Sequence, residues 1–292
     1  MQANDVSTTI VGAGRVGREL AKRFETICDR VLMVDCSPRG AADQGIILSD
    51  AADLSEDAAR AIARSDYVVL ALPFTVAGAA FAAIGPKLKD AALLVETLSV
   101  KAQPATWTAR VPAGAEFIGI NPLFNPELAW TDRPIAVVPY RPGPRSDTVL
   151  DLLRGAGASI VTLDAVHHDR LLAERQLAAH ALLLSFSSLL RDENSGIALE
   201  IGPLPYHLLL AALGRMLAGD PETVVEIQTT NPFGPSVRAR LMTALQGLDG
   251  DGEAALVRLQ DDWTALAPRL DAISKTCERL FARPLVPVTG SH

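Results

Sequence analysis

Apolar residues in the first half of the chain fall into two patterns. Short continuous runs at 8–11, 31–34, 66–72, 91–95, 116–120, 135–139 and 159–163 read as strands covered on both faces. Between them, apolar positions recur at helical spacing. Val16, Leu20 and Phe24 share one face, and further helical stretches lie near 57–64, 76–84 and 147–154. Pro73 closes one strand, and Gly85-Pro86 ends the helix before it. A short apolar run at 45–48 precedes the 57–64 helix. Strands alternating with helices over 1–165 predict a doubly wound parallel sheet. From His167 onward the pattern is helical only, over 166–191, 203–219, 221–230, 235–247 and 252–282, with a break at Pro232-Phe233-Gly234-Pro235. The expected organisation is an α/β domain over 1–165 and an all-helical domain over 166–292.

The first strand runs directly into Gly12-Ala13-Gly14-Arg15-Val16-Gly17, a G-x-G-x-x-G spacing that opens a helix. Gly12 allows the tight turn, Gly14 lets a pyrophosphate approach the backbone, and Gly17 lets the helix lie on the strand. The second strand ends in Asp35, 18 residues past Gly17, where a carboxylate accepts hydrogen bonds from ribose hydroxyls. Asp35 would repel a ribose phosphate, so the cofactor expected is NAD; Arg39 nearby is the one feature that favours NADP. The cofactor-binding set is Gly12, Gly14, Arg15, Val16, Gly17 and Asp35, with Leu72 and Pro73 at the neighbouring strand end. The first domain is thus of Rossmann type.

Composition narrows the classes. The 292 residues are 49% hydrophobic and carry a formal charge of −7, so nucleic acid is not an expected partner. Cys28, Cys36 and Cys277 form no C-x-x-C pair and no even framework, which suits a reducing cytoplasm. The apolar run 177–190 contains His180 and serines and is too short to span a bilayer, so no membrane association is expected. The many leucines of the second half predict burial of an apolar face against a second copy, with packing on the first domain as the alternative.

Candidate chemistry lies beyond the carboxyl ends of the strands, where open α/β sheets bind ligands. Ser99 and Lys101 are two apart, so an extended segment points both to one side. Lys101 reads either as a partner for a substrate carboxylate or as a solvated loop lysine. Gln176 and His180 are spaced i, i+4 on a helix, and His180, among leucines, also suits a core position. His167-His168-Asp169 reads as polar capping; no third ligand has suitable spacing, so no metal is assigned. Arg215 near a helix C-terminus is favourable through the dipole alone.

The order G-A-G-R-V-G, V-V-L-A-L-P, L-S-V-K, I-N-P-L-F-N-P, H-D-R-L-L-A-E-R-Q-L-A-A-H and L-G-R-M-L-A-G-D-P resembles the prephenate dehydrogenase family from about Thr8 to Leu280. The resemblance implies an NAD-binding domain, a helical dimerisation domain, and oxidative decarboxylation of a cyclohexadiene dicarboxylate. It also implies roles: Ser99 beside the nicotinamide and the C4 substituent, Lys101 and Arg215 on substrate carboxylates, Gln176 and His180 lining the pocket. The family's H-P-x-F-G-P motif carries a catalytic histidine where this chain has Asn121, and His207 stands where close relatives have arginine. A neutral amide takes no proton. A substrate amine at C4, with its own lone pair, removes the need for a base. The chain therefore looks most like the 4-amino-4-deoxyprephenate dehydrogenase branch, with Ser99, Asn121 and His180 as the catalytic set. The alternatives are a prephenate or arogenate dehydrogenase whose base has moved, with His180 the candidate, and a catalytically silent NAD-binding regulator.

Overall fold

The computed structural model describes residues 5–37, 45–191, 202–249 and 252–281. The first half forms an eight-stranded sheet in the order β3-β2-β1-β4-β5-β6-β7-β8. Its strands are β1 (Ser7–Val11), β2 (Arg30–Asp35), β3 (Ile46–Leu48), β4 (Tyr67–Leu70), β5 (Leu93–Glu96), β6 (Glu116–Pro122), β7 (Pro134–Arg141) and β8 (Ser159–Thr162). Helices α1 (Arg15–Phe24), α2 (Glu56–Arg64), α3 (Phe74–Ile84), α4 (Ala102–Ala105) and α5 (Pro144–Gly155) fall between them.

The continuous apolar runs have a simple cause: each strand feeds two cores. Val68 and Leu70 pack on one face of the sheet with Ile62, Phe81 and Trp107. Tyr67 and Val69 pack on the other with Leu20, Phe24 and Leu153. The order changes direction at β1, between β2 and β4, which places the glycine-rich turn at the switch point.

One pairing departs from the parallel expectation, and it reverses the last two strands. β7 pairs antiparallel with β6, whereas β7 and β8 are parallel. The reason lies in the connections. No crossover helix separates β6 from β7, so the chain turns back beside the strand it has just left, whereas α5 carries it over to β8. The N-terminus of α5 is held by Glu116 of β6, whose carboxylate accepts from the Arg145 and Ser146 backbone N–H groups at 3.0 and 2.7 Å.

Beyond β8 the described residues are helical: α6 (Ala165–Leu172), a π turn over Ala173–Leu177, α7 (Ala178–Arg191), α8 (Leu204–Leu217), α9 (Pro221–Thr230), α10 (Gly234–Gln246), α11 (Gly252–Leu266) and α12 (Leu270–Phe281). The chain divides into two compact units, 1–173 with 225–232, and 174–224 with 233–292. This division falls eight residues beyond the switch from strands to helices at 165/166, and it returns part of α9 to the first unit. Leu183, Leu213 and Met216 form a core in the second unit. Among the described residues no helix is long and apolar enough to cross a membrane.

Candidate active site

At the glycine-rich turn, each glycine is explained by what a side chain would strike. Gly12 has φ +105°, and a Cβ there would lie 2.1 Å from the Ala71 carbonyl oxygen. A Cβ on Gly17 would lie 1.9 Å from the Gly12 carbonyl oxygen. Gly14 differs: a Cβ would meet nothing within 4 Å, so its backbone faces open space. Gly14 is also the cap of α1, with no side-chain bond to the helix and no acidic residue in the first turn. The N–H groups of that turn are thus presented to an anion. Arg15 is exposed, Val16 packs on the core beneath, and Leu72 lies against the turn from β4's end. Pro73 caps α3.

At the end of β2, Asp35 accepts from the Ala13 N–H at 2.6 Å and the Ser37 N–H at 2.7 Å, which fixes its carboxylate beside the turn. These residues fit a dinucleotide: open space at Gly14 for the pyrophosphate and an oriented carboxylate for ribose hydroxyls. Arg39 lies outside the described residues.

The loop after β5 carries the second cluster. Lys101 is fully buried, and its ammonium donates to Glu96 Oε1 at 2.7 Å and the Ile120 carbonyl at 3.0 Å. Glu96 also accepts from the Tyr140 hydroxyl at 2.9 Å and the Leu98 N–H at 2.7 Å. Burial pushes the Glu96 carboxyl up and the Lys101 ammonium down, while their pairing opposes both shifts. Burial and then the Glu96 charge drive the Tyr140 hydroxyl up. Gly119, register partner of Glu96, makes room, since a Cβ there would lie 2.0 Å from Glu96 Oε1.

This corrects the expectation that Lys101 meets a substrate carboxylate. Its cation is spent inside the fold, and the alternation that put it beside Ser99 fails because Lys101 already turns into α4, with ψ −23°.

Asn121, at the end of β6, is 7% exposed, and its Nδ2 lies 3.3 Å from His168 Nε2. His168 Nδ1 lies 2.8 Å from Asp169 Oδ1. Asp169 in turn accepts from the Lys101 and Ala102 N–H groups at 2.7 and 2.8 Å. The polarity follows from the ends of this chain of bonds. A carboxylate only accepts, so the imidazole proton sits on Nδ1; Nε2 then accepts from the amide nitrogen of Asn121. His168 and Asp169 are completely buried, and helix capping falls to Asp164, which accepts from the His167 N–H at 2.8 Å. The capping expected of His167-His168-Asp169 is thereby corrected.

Ser99 donates its hydroxyl proton to Glu226 Oε1 at 2.7 Å, and Glu226 Oε2 accepts from the Phe74 N–H at 3.0 Å. Glu226 and Asn231, whose amide donates to the Asp169 carbonyl at 2.8 Å, come from the α9 region.

No family model matches the chain. It is 32% identical over 278 residues to the 4-amino-4-deoxyprephenate dehydrogenase of Streptomyces pristinaespiralis, covering 92% of this chain and 94% of that one. The chain belongs to the prephenate dehydrogenase family. A probable arogenate/prephenate dehydrogenase of Methanocaldococcus jannaschii is 23% identical over 176 residues, 58% of this chain and 40% of that one. Among solved structures, the prephenate dehydrogenase from A. aeolicus in complex with hydroxyphenyl propionate and NAD+ shares the fold. Its TM-score is 0.70 at 14% identity, over 96% of this chain and all of that one. This member of the family is accordingly an oxidoreductase, a dehydrogenase built on a Rossmann-type sheet with a helical C-terminal region.

The structure brings Ser99 and Asn121 to the carboxyl edges of neighbouring strands, as the family pattern implies. In the second unit Gln176 sits in the π turn, a distortion often found at functional sites. Arg215 is exposed in the last turn of α8, and His207 packs edge-on against Tyr206. His180 carries a buried Nδ1 with no hydrogen-bond partner among the described residues, and desolvation pulls its pKa below the usual 6.5. A histidine lowered in this way favours the folded state above pH 6.5, and that contribution fades as pH falls through the folded value. The His180 ring is therefore expected to titrate below 6.5 by NMR, and His180→Gln to lessen the stability lost between pH 7 and 5. A midpoint at or above 6.5 would show a solvated ring instead.

Reading the residues alone missed Glu96, His168, Asp169 and Glu226 as parts of the site. Of these only His168 and Asp169 stood within a quoted motif, H-D-R. Glu226, in V-V-E-I-Q, carries no local signal.

Proposed function

We propose that the enzyme catalyses NAD-dependent oxidative decarboxylation of 4-amino-4-deoxyprephenate to 4-aminophenylpyruvate, a step toward aromatic amino-acid-derived antibiotics. The observation that carries this reading is Asn121, an amide where the family has its catalytic histidine, with its nitrogen engaged by His168. NAD, when bound, supplies the acceptor for the hydride.

The amine lone pair expels hydride from ring C4 and leaves an iminium. The C1–carboxylate bond then breaks, its electron pair enters the ring, carbon dioxide departs, and an aromatic amine remains. No proton leaves nitrogen, so position 121 needs no base. Asn121 orients the amine through Oδ1, which holds the lone pair in line with the departing hydride. Ser99 touches the same substituent. Arg215 holds a substrate carboxylate, for which a guanidinium can offer two parallel donors. The family resemblance gives Gln176, His180 and His207 to the substrate as well, with His207 in the place of an arginine contact.

The exposed Leu256, Leu259 and Trp263 of α11 support a homodimer through the helical region, in a cytoplasmic enzyme.

The test is NADH formation with NAD and three substrates side by side: 4-amino-4-deoxyprephenate, prephenate and arogenate. Turnover of the amino compound at least about 100-fold above prephenate is expected, the factor a missing base imposes on the alcohol. Preferred turnover of prephenate would move the base elsewhere, with His180 the residue to replace. NAD binding without any turnover would make the protein a regulator.

A further inference from the structure

We propose that Glu226 is a positioning residue that turns Ser99 into an acceptor toward the substrate, so that Ser99 and Asn121, whose polarity His168 sets, both face the substrate as acceptors and select an amine over a hydroxyl. The inference rests on the amino-substrate reading for what stands at C4, and it adds a physical basis for the selection.

Two independent chains of bonds lead to the same polarity. The Ser99 proton is committed to Glu226 Oε1 at 2.7 Å, because an ionised carboxylate can only accept. The lone pairs of Ser99 Oγ are what remain for a ligand. The Asn121 amide nitrogen is committed to His168, which Asp169 holds in the required tautomer. Asn121 Oδ1 takes no hydrogen bond from the described residues and is likewise left as an acceptor. A neutral amine brings two N–H donors and satisfies both oxygens. A hydroxyl brings one, and leaves one acceptor without a partner in a half-buried site. That deficit corresponds to about 5- to 150-fold in affinity or kcat/KM. The Glu226 charge, one hydroxyl away, acts in the same direction on a nitrogen carrying positive charge.

Glu226 has a second bond that makes its replacement informative. Oε2 accepts from the Phe74 backbone N–H at the start of α3. In Glu226→Gln the amide oxygen must turn to Phe74, since two N–H groups cannot face each other. The amide nitrogen then donates to Ser99 Oγ, and the serine proton is released toward the substrate. One acceptor becomes a donor without a change of shape.

The experiment compares wild type and Glu226→Gln in kcat/KM for 4-amino-4-deoxyprephenate and prephenate. It also measures equilibrium binding of 4-aminophenylpyruvate and 4-hydroxyphenylpyruvate by calorimetry with NAD present. The variant is expected to lose about 10- to 100-fold on the amino substrate while prephenate is unchanged or improved. Wild type is expected to bind the aromatic amine at least about five-fold tighter than the phenol, and the variant to lose that preference. Equal losses on both substrates would reduce Glu226 to a structural contact and overturn the proposal. So would a wild-type enzyme that binds the phenol as well as the amine. The wild-type binding comparison needs no turnover. Wild type that prefers the amine but does not oxidise the amino substrate would sink the proposed reaction and leave the polarity of the site standing.

Discussion

Lys101→Met is expected to destabilise the fold by about 3–5 kcal/mol, because it strands the Glu96 carboxylate in the core. The ammonium and carboxylate are both completely buried, and Tyr140 and the Leu98 N–H supply the remaining bonds to Glu96. Methionine fills the volume but offers no charge. Glu96→Gln combined with Lys101→Met should recover most of the loss, since a neutral amide leaves no charge unpaired. The pH dependence has a definite sign. Burial raises the folded Glu96 pKa above its ordinary value of 4.5 and Lys101 no longer opposes the shift, so the single variant is least affected below 4.5 and weakest once pH has risen through the folded value. Urea denaturation at pH 7 and pH 5 measures both effects. A variant that keeps its stability but loses substrate affinity would return Lys101 to the role of a carboxylate ligand.

Asn121→His is expected to raise kcat/KM for prephenate by about 100-fold or more, within the range a general base contributes. The new imidazole would stand against His168 Nε2, which accepts. It must therefore donate one N–H to His168, which leaves its other nitrogen with a lone pair toward the substrate hydroxyl. The same ring is bulkier than the amide and crowds the amine that Oδ1 would orient, so turnover of the amino substrate should fall. Steady-state kinetics with both substrates decide the matter. A gain on the amino substrate, or no gain on prephenate, would mean that Asn121 does not set the choice between them.

The two substitutions probe parts of the site that were unequally legible in the linear chain. Asn121 stood out from the sequence because a family pattern surrounds it and one residue breaks that pattern. The turn at Gly12, Gly14 and Gly17 was legible for a local reason: backbone conformation and close approach are set within a few residues. The continuous apolar strands announced a sheet covered on both faces, since burial on two sides removes polar positions from a run.

Lys101 shows where local logic ends. Two residues from Ser99, it belonged by alternation on the same side of an extended loop. Its actual place depends on Glu96 across the loop, on the space left by Gly119 in the next strand, and on Tyr140 from an antiparallel strand. Glu226 is further still, 127 residues from the serine whose proton it holds. Periodicity, turn chemistry and glycine spacing act over a few residues, so the amino-acid sequence by itself determined the elements, the dinucleotide turn and the anomaly at 121. Hydrogen-bond polarity and the burial of charge depend on groups that meet only after the strands have paired, and those the tertiary structure alone decided.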